Sequence, residues 1–167
     1  PSNGSSSVSI GIWVDVGSRD ESSEYRGCSH FLEHLLFKGT EKRTAKEIST
    51  VIEARGGYLN AFTDKDMTCF HAKVLERDIE LAVDVLSDTV QSPLLKQKDI
   101  EKELNVVLSE IDGRDDDPED VIHDLYFETV WSRNPVAHPI LGDKKVLRSL
   151  NNISIRSYFS SHYTPDR

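Results

Sequence analysis

Two histidines and one glutamate stand in a largely apolar stretch, residues 28–39, which reads CSHFLEHLLFKG. His30 and His34 are four residues apart, so on a helix both imidazoles lie on one face, one turn from each other. Glu33 lies beside them. Zinc prefers nitrogen and oxygen ligands in a tetrahedral array, and a metal would explain why three ionisable groups stand among apolar neighbours. The spacing therefore predicts that His30 and His34 bind one zinc ion.

The order His-x-x-Glu-His is the reverse of the more familiar His-Glu-x-x-His and is typical of inverzincins. In that arrangement Glu33 would act as general base toward a water molecule. Two histidines alone would leave the metal short of a protein ligand. The best candidates lie in EKELNVVLSEID, residues 101–112, where Glu103 and Glu110 are seven residues, or two helical turns, apart. Both should lie at the margin of an apolar stripe, where a buried metal could meet them.

Each of these features also has a plainer interpretation. An isolated histidine pair at this spacing is usually a surface accident, but the apolar neighbours and the adjacent glutamate favour a metal site here. Acidic residues often border the apolar stripe of a helix. Glu103 and Glu110 are therefore candidate ligands only because the His-x-x-Glu-His motif needs a further one. Four other histidines have no partner pattern, and we predict that they are structural: His71, His123, His138 and His162.

Local patterns predict the elements that must position these groups. Alternating apolar residues predict strands, and helical periodicity with capping patterns predicts helices. The predicted strands are residues 8–16, 58–63 and 67–74, and the predicted helices begin near residues 28, 44, 79, 100, 118, 143 and 153. The first of these helices is apolar nearly all round and should be buried, and Thr44 and Glu47 form a capping-box pattern at the start of the second. The apolar positions of the helix that begins near residue 100 end at Ile111, and RDDDPED, residues 114–120, should be a solvated loop with a helix cap. Because the helices mostly follow the strands, we expect an α+β fold with a mixed or antiparallel β-sheet and helices packed mainly on one face.

Composition narrows the class of protein further. The chain has 167 residues, which fits one domain. Its net charge of −9 argues against nucleic-acid binding, and no apolar run approaches the roughly 20 residues of a membrane span. Cys28 and Cys69 each lie in an apolar segment, which favours two reduced, buried thiols over one disulfide. The sequence runs straight into a strand and closes on the lead-in HYTPDR, so we expect the domain to be incomplete at both ends.

With these motifs in place, the sequence resembles the pitrilysin family of zinc peptidases, and in particular its processing-peptidase branch, over essentially its whole length. The segments that carry the resemblance, in family order, are GIWVDVGSRDE, HFLEHLLFKGT, GGYLNAFTDKD, ELNVVLSEID and DPEDVIHDLYFETVW. The resemblance implies that His30, His34 and Glu110 are the metal ligands. It also implies that Glu33 is the catalytic base. Glu103, seven residues before the last ligand, matches an accessory glutamate of the family.

The same resemblance implies a substrate site and partners. The family's substrate-holding edge strand matches YLNAF, so Asn60, Ala61 and Phe62 would face a peptide substrate. We therefore expect residues 1–167 to be the N-terminal active domain of a processing-peptidase-like metallohydrolase fold. It would belong to a longer two-domain chain or a heteromer, with a complementary second-half domain or a homologous subunit as its partner.

The implied function is that of a zinc-dependent endopeptidase that cleaves extended peptides or presequence-like segments. No signal peptide or transit peptide is visible, so we favour the bacterial cytoplasm, with the mitochondrial matrix as the alternative.

The motif leaves three alternatives. A catalytically silent scaffold or subunit of the same fold would usually lose the motif or the downstream glutamates, and this chain keeps them. A structural zinc-binding domain would use four protein ligands and leave Glu33 without a role. S-ribosylhomocysteine lyase shares the motif but takes a downstream cysteine as its third ligand. Here the last cysteine, Cys69, is only 35 residues after His34.

Overall fold

The computed structural model describes residues 6–167, and its three strands form one antiparallel sheet. The strands are β1 (Ser7–Val14), β2 (Tyr58–Thr63) and β3 (Thr68–Leu75), in the spatial order β1-β3-β2. β3 is therefore the central strand, and β2 pairs with it as a hairpin. The three predicted strands and the α+β class are confirmed, with all pairings antiparallel.

Seven α-helices accompany the sheet in the described part of the chain. They are α1 (Cys28–Leu36), α2 (Ala45–Glu53), α3 (Ile79–Gln91), α4 (Gln97–Asp116), α5 (Pro118–Val130), α6 (Lys144–Ser149) and α7 (Asn152–His162). The capping box predicted for α2 is present. The hydroxyl of Thr44 accepts from the backbone N–H of Glu47, whose carboxylate accepts the N–H of Thr44 at 2.7 Å. These two reciprocal bonds fix where α2 begins.

The cross-strand register divides the sheet into a covered face and an open face. On the covered face Ile12, Phe70 and Ala61 lie in line across the three strands, and Phe70 is fully buried. On the open face Trp13 and Phe62 lie on either side of the central strand and are 59% and 45% exposed. α1, α2 and α3 pack against the covered face. Helices on one face of the sheet are therefore confirmed.

The helix that carries both downstream glutamates is longer than the sequence pattern indicated. We expected it to end near residue 111 and to be followed by a solvated acidic loop, but α4 continues to Asp116. Lys144 Nζ of α6 lies 2.7 Å from Asp112 Oδ1 and 2.9 Å from Asp115 Oδ2. This cation reduces the repulsion between the carboxylates at the end of α4. The helix ends at the next residue, because a residue before proline disfavours helical backbone.

Helix α1 is buried over most of its surface, as predicted. Phe31, Leu32, Leu35 and Leu36 are each at most 1% exposed. Burial of a large apolar side chain stabilises the fold by roughly 1.5–3 kcal/mol relative to exposure. Burial of these side chains therefore fixes α1 in the core, and the remaining side of the helix faces a solvent-accessible cleft.

The two cysteines and the lengths of the helices complete the description of the fold. Cys28 and Cys69 are both free and buried, as predicted. Among the helices of residues 6–167, none combines the length and the apolar character needed to cross a bilayer.

Candidate metal centre

A buried carboxylate holds the first turn of α1. Glu21 accepts hydrogen bonds from the backbone N–H of Gly27 (2.6 Å) and of Ser29 (2.7 Å). It thereby satisfies donors at a helix start that have no intrahelical partner. Burial raises the pKa of Glu21 to about 7, although both backbone hydrogen bonds oppose the shift. This cap could not be predicted from the sequence, because Glu21 lies outside the helix and at no standard capping distance from it.

The same end of α1 packs against the backbone of the loop that precedes α6. Gly27 and Gly142 adopt φ angles of 91° and 74°, which residues with side chains rarely hold. A Cβ on Gly142 would lie 2.3 Å from the Cα of Gly27, and a Cβ on Gly27 would lie 2.7 Å from the carbonyl oxygen of Leu141. Two backbones therefore meet with no room for a side chain, and their contact fixes the position at which α1 begins.

His30 and His34 of α1 converge with Glu110 of α4. Glu110 Oε2 lies 3.7 Å from His30 Nε2 and 3.5 Å from His34 Nε2. One donor atom of each residue lies within 4.8 Å of the others. Zinc ligands at about 2.0–2.1 Å in a tetrahedral array are about 3.4 Å apart. The donor set and its spacing therefore fit a zinc ion with one coordination position left open.

Both histidine rings have the chemistry that metal binding requires. Burial, together with the neighbouring His34, lowers the pKa of His30 to about 4, so this imidazole is neutral at pH 7. Its Nδ1 is buried and has no hydrogen-bond partner among residues 6–167. The rings of His30 and His34 meet edge to face, with centroids 4.7 Å apart. Both rings present Nε2 toward Glu110 Oε2.

Glu103 lies behind His34 rather than among the converging donors. Its Oε2 is 3.4 Å from His34 Nδ1, and its Oε1 is 2.9 Å from Lys38 Nζ. A carboxylate on the far nitrogen of a metal-binding histidine fixes the ring orientation and the tautomer. Glu103 is 8% exposed, so it lies at the core boundary, where the sequence placed it. The contact with Lys38 was not predicted, because a lysine just after an apolar helix carries no signal of its own.

Glu33 lies beside the converging donors but is not one of them. The hydroxyl of Thr63, the last residue of β2, donates to Glu33 Oε2 at 2.6 Å. Burial raises the pKa of Glu33, while the Thr63 hydrogen bond and His34 oppose the shift. A raised pKa makes the carboxylate a better proton acceptor. The role of Thr63 could not be predicted from the sequence, since a threonine at a strand end has no distinctive pattern.

A cleft of about 880 Å³ opens in front of these groups. One wall is the edge of β2, which in the described part of the chain pairs only with β3. Ala61 and Phe62 line the cleft, whereas Asn60 lies against a separate hollow beside Phe37. The opposite wall comes from α4, α5 and the segment after α5, and includes Asp120, Asp124, Phe127, Val136 and Ile140. The cleft thus places an open strand edge, a carboxylate and a candidate zinc site side by side.

Comparison with known proteins agrees with this arrangement. Residues 1–144 match the insulinase family of peptidases, peptidase family M16. The matched region includes every residue of the converging site. The chain belongs to this family, and the resemblance inferred from the sequence is confirmed.

The relatives of this chain are longer than it is. A protein described as an uncharacterised zinc protease from Mycobacterium leprae is 46% identical over 161 residues, which is 96% of this chain and 36% of the relative. A zinc protease of Bacillus subtilis is 44% identical over 161 residues, or 39% of its length. A probable β subunit of the mitochondrial processing peptidase of Arabidopsis thaliana is 36% identical over 160 residues, or 30% of its length. The chain spans about a third of the curated relatives it matches.

Solved structures support the same fold. A protease from Helicobacter pylori superposes with a TM-score of 0.94 at 27% identity, covering 99% of this chain and 40% of that one. The periplasmic protease PqqL of Escherichia coli superposes with a TM-score of 0.88 at 16% identity, covering 96% of this chain and 19% of that one, which is a likeness of fold alone. The proteins that this chain resembles therefore include one described as mitochondrial and, by fold alone, one described as periplasmic.

Proposed function

We propose that this chain is the active domain of a zinc-dependent endopeptidase. The observation that carries the proposal is the convergence of His30, His34 and Glu110 on one point beside an uncoordinated carboxylate, Glu33. The names of the relatives, zinc proteases and a processing-peptidase subunit, support the same class.

Each residue of the site has a distinct proposed role. His30, His34 and Glu110 would hold the metal. When bound, zinc would supply Lewis acidity, which polarises a carbonyl group and makes water more acidic. Glu33 would take a proton from the attacking water and pass it to the leaving amine. Glu103, itself held by Lys38, would orient the His34 ring through Nδ1.

Two features favour this function over the alternatives. A structural zinc site is normally closed by four protein ligands, whereas among residues 6–167 only three donors converge and Glu33 is held by Thr63 instead. A silent scaffold has no need of a metal-competent triad with a carboxylate beside it. The cysteines of the described chain do not belong to the converging group, which argues against a lyase-type site.

The proposed substrate is an extended peptide that adds to the free edge of β2. A peptide bound as an additional strand is held by main-chain hydrogen bonds and makes few sequence demands. Phe62 would offer its half-exposed ring, while Ala61, only 8% exposed, would contribute chiefly its backbone. Asn60 lies in the same strand next to Ala61, and it remains part of the proposed peptide contact. The net charge of −9 favours basic, presequence-like segments, and in the cleft six carboxylate side chains outnumber three basic ones, Arg19, Lys65 and Arg114.

The strand-addition proposal predicts that binding depends on alternate peptide amides. N-methylation of the peptide amides that face β2 should weaken binding by about 10-fold, because two hydrogen bonds of about 0.5–1.5 kcal/mol are lost. Methylation of the intervening amides, which face away, is the matched control and should leave the dissociation constant nearly unchanged. Calorimetry with the non-hydrolysing Glu33→Gln variant would measure both. Equal effects of the two methylation patterns would show that the peptide does not bind as a strand.

We propose a partner for the open side of the cleft, either a complementary second-half domain of the same chain or a homologous subunit. The length of the relatives supports this proposal. Hydrolysis of a peptide bond would need hydrogen-bond donors for the developing oxyanion from the open side of the cleft, and the second half would supply them. The bacterial cytoplasm, favoured from the sequence, stays a prediction.

Zinc-dependent peptide hydrolysis tests the proposed function directly. The full-length protein should cleave a quenched fluorescent peptide, lose that activity on chelation and regain it when zinc is added back. Residues 1–167 alone should bind zinc but turn over at least about 100-fold more slowly, since losing even one oxyanion donor costs that much. A full-length protein that binds zinc without cleaving any extended peptide would support the silent-scaffold alternative instead.

A further inference from the structure

Thr63 joins two parts of the site that are otherwise separate, the strand edge and the proposed base. It is the last residue of β2, and its hydroxyl donates to Glu33 Oε2 at 2.6 Å. Among residues 6–167, this is the one hydrogen bond that the Glu33 side chain makes. One carboxylate oxygen is thus engaged, and Oε1 is left as the oxygen that can accept a proton.

The surroundings of Thr63 keep its hydroxyl in place. Thr63 pairs across the hairpin with Thr68, which is fully buried and donates to the carbonyl of Val16 at 2.9 Å. The hairpin turn is closed by a hydrogen bond of 2.8 Å from the N–H of Asp64 to the carbonyl of Met67. The donor to Glu33 therefore stands on a regular strand end rather than on a free loop.

Two other segments clamp that turn from outside. The backbone N–H groups of Ser18 and Arg19 donate to the carbonyls of Asp64 (3.2 Å) and Lys65 (3.0 Å). On the other side, Lys65 Nζ donates to the carbonyl of His138 at 2.9 Å. A group held from several directions loses little entropy when it orients a neighbour, which is what a preorganised site requires.

We infer that Thr63 is a positioning residue, whose hydroxyl holds the Glu33 carboxylate in the orientation that proton transfer needs. The inference rests on the proposed role of Glu33 as general base. It also means that β2 sets both the register of a bound peptide and the orientation of the base. A substrate carbonyl placed along the strand would then meet a carboxylate that is fixed to the same strand.

The inference is tested in the full-length protein with the isosteric Thr63→Val variant. We expect kcat to fall about 10- to 100-fold, since a hydrogen bond to a charged group contributes about 1.5–3 kcal/mol. KM and zinc affinity should stay within about threefold, because Thr63 touches none of the three converging donors. Thr63→Ser should restore kcat to within about threefold. Thr50→Val, which removes an exposed helix hydroxyl bonded to the carbonyl of Lys46, is the matched control and should be silent.

A double-mutant comparison separates positioning from a structural effect. In the Glu33→Gln background, Thr63→Val should cost little further residual activity, because the two residues act as one unit. A crystal structure of Thr63→Val should show the carboxylate turned away from its original place. An unchanged kcat, an unmoved carboxylate or a serine variant as slow as the valine variant would overturn the inference. If Glu33→Gln itself remains fully active, the proposed function fails first, and the inference fails with it.

Discussion

The Glu33→Gln variant should retain zinc and lose peptide hydrolysis. Glutamine keeps the size of the side chain and can still accept the hydrogen bond from Thr63, but it cannot take a proton at neutral pH. General acid–base catalysis contributes typically about 10²- to 10⁴-fold, and kcat should fall by that factor. Zinc content should be unchanged, because Glu33 is not one of the converging donors. Metal analysis and peptide turnover on the same preparation measure both.

A matched control for this variant lies on α4. Glu101 is exposed and outside the site, so Glu101→Gln makes the same chemical change without touching the cleft and should leave kcat unaltered. If Glu33→Gln turns over at the wild-type rate, another group is the base. If it loses zinc together with activity, Glu33 is a ligand, and the assignment of three ligands with one open position is wrong.

Replacing any one of His30, His34 or Glu110 with alanine should reduce zinc affinity by more than about 100-fold. Removal of a group that merely supports a ligand typically costs about 10- to 100-fold, and removal of a ligand itself should cost more. Competition against a chromogenic chelator measures the affinity without any assay of activity. The fold should survive in each variant, since these side chains lie at the cleft rather than in the apolar core.

Two further variants serve as references for the measured zinc affinities. Glu103→Gln keeps an oxygen that can accept from His34 Nδ1, so it should weaken zinc binding by less than about 10-fold and reduce turnover by more than that. His123→Ala removes a histidine that lines the same cleft without converging on the site, and zinc affinity should not change. A ligand variant that binds zinc as tightly as His123→Ala would remove that residue from the proposed set.

The sequence predicted the regular elements and the placement of His30 and His34 on one helix face, because both depend on short-range spacing. Alternation defines β1, and the four-residue spacing of His30 and His34 places both rings on one face of α1 wherever that helix lies. The approach of Glu110 was harder to predict, since periodicity gives a residue's side of its helix but not the neighbour it meets. Only the family resemblance selected Glu110 over Glu103 as the third donor.

The supporting contacts could not be predicted, because two of them join residues that are distant in sequence and the third, made by Glu21, comes from a loop at no standard capping position. Glu21 caps α1 from a polar loop, Thr63 contacts Glu33 from the end of a strand, and Lys38, just after α1, contacts Glu103 of α4. None of these residues belongs to a recognisable local pattern. The extension of α4 was mispredicted for a similar reason, since the cation that offsets its acidic end comes from α6.

The contact between Gly27 and Gly142 bears on how activity is diagnosed across related genomes. It ties the first turn of α1 to a position about 110 residues beyond His30. A paralogue could keep the whole His-x-x-Glu-His signature and still carry a bulkier residue at this second position, which would push the helix start, and His30 with it, out of place. A survey that looks for the signature alone would classify such a paralogue as an active enzyme. The residues at positions 27 and 142 should therefore be checked together with the signature when active and inactive paralogues are distinguished.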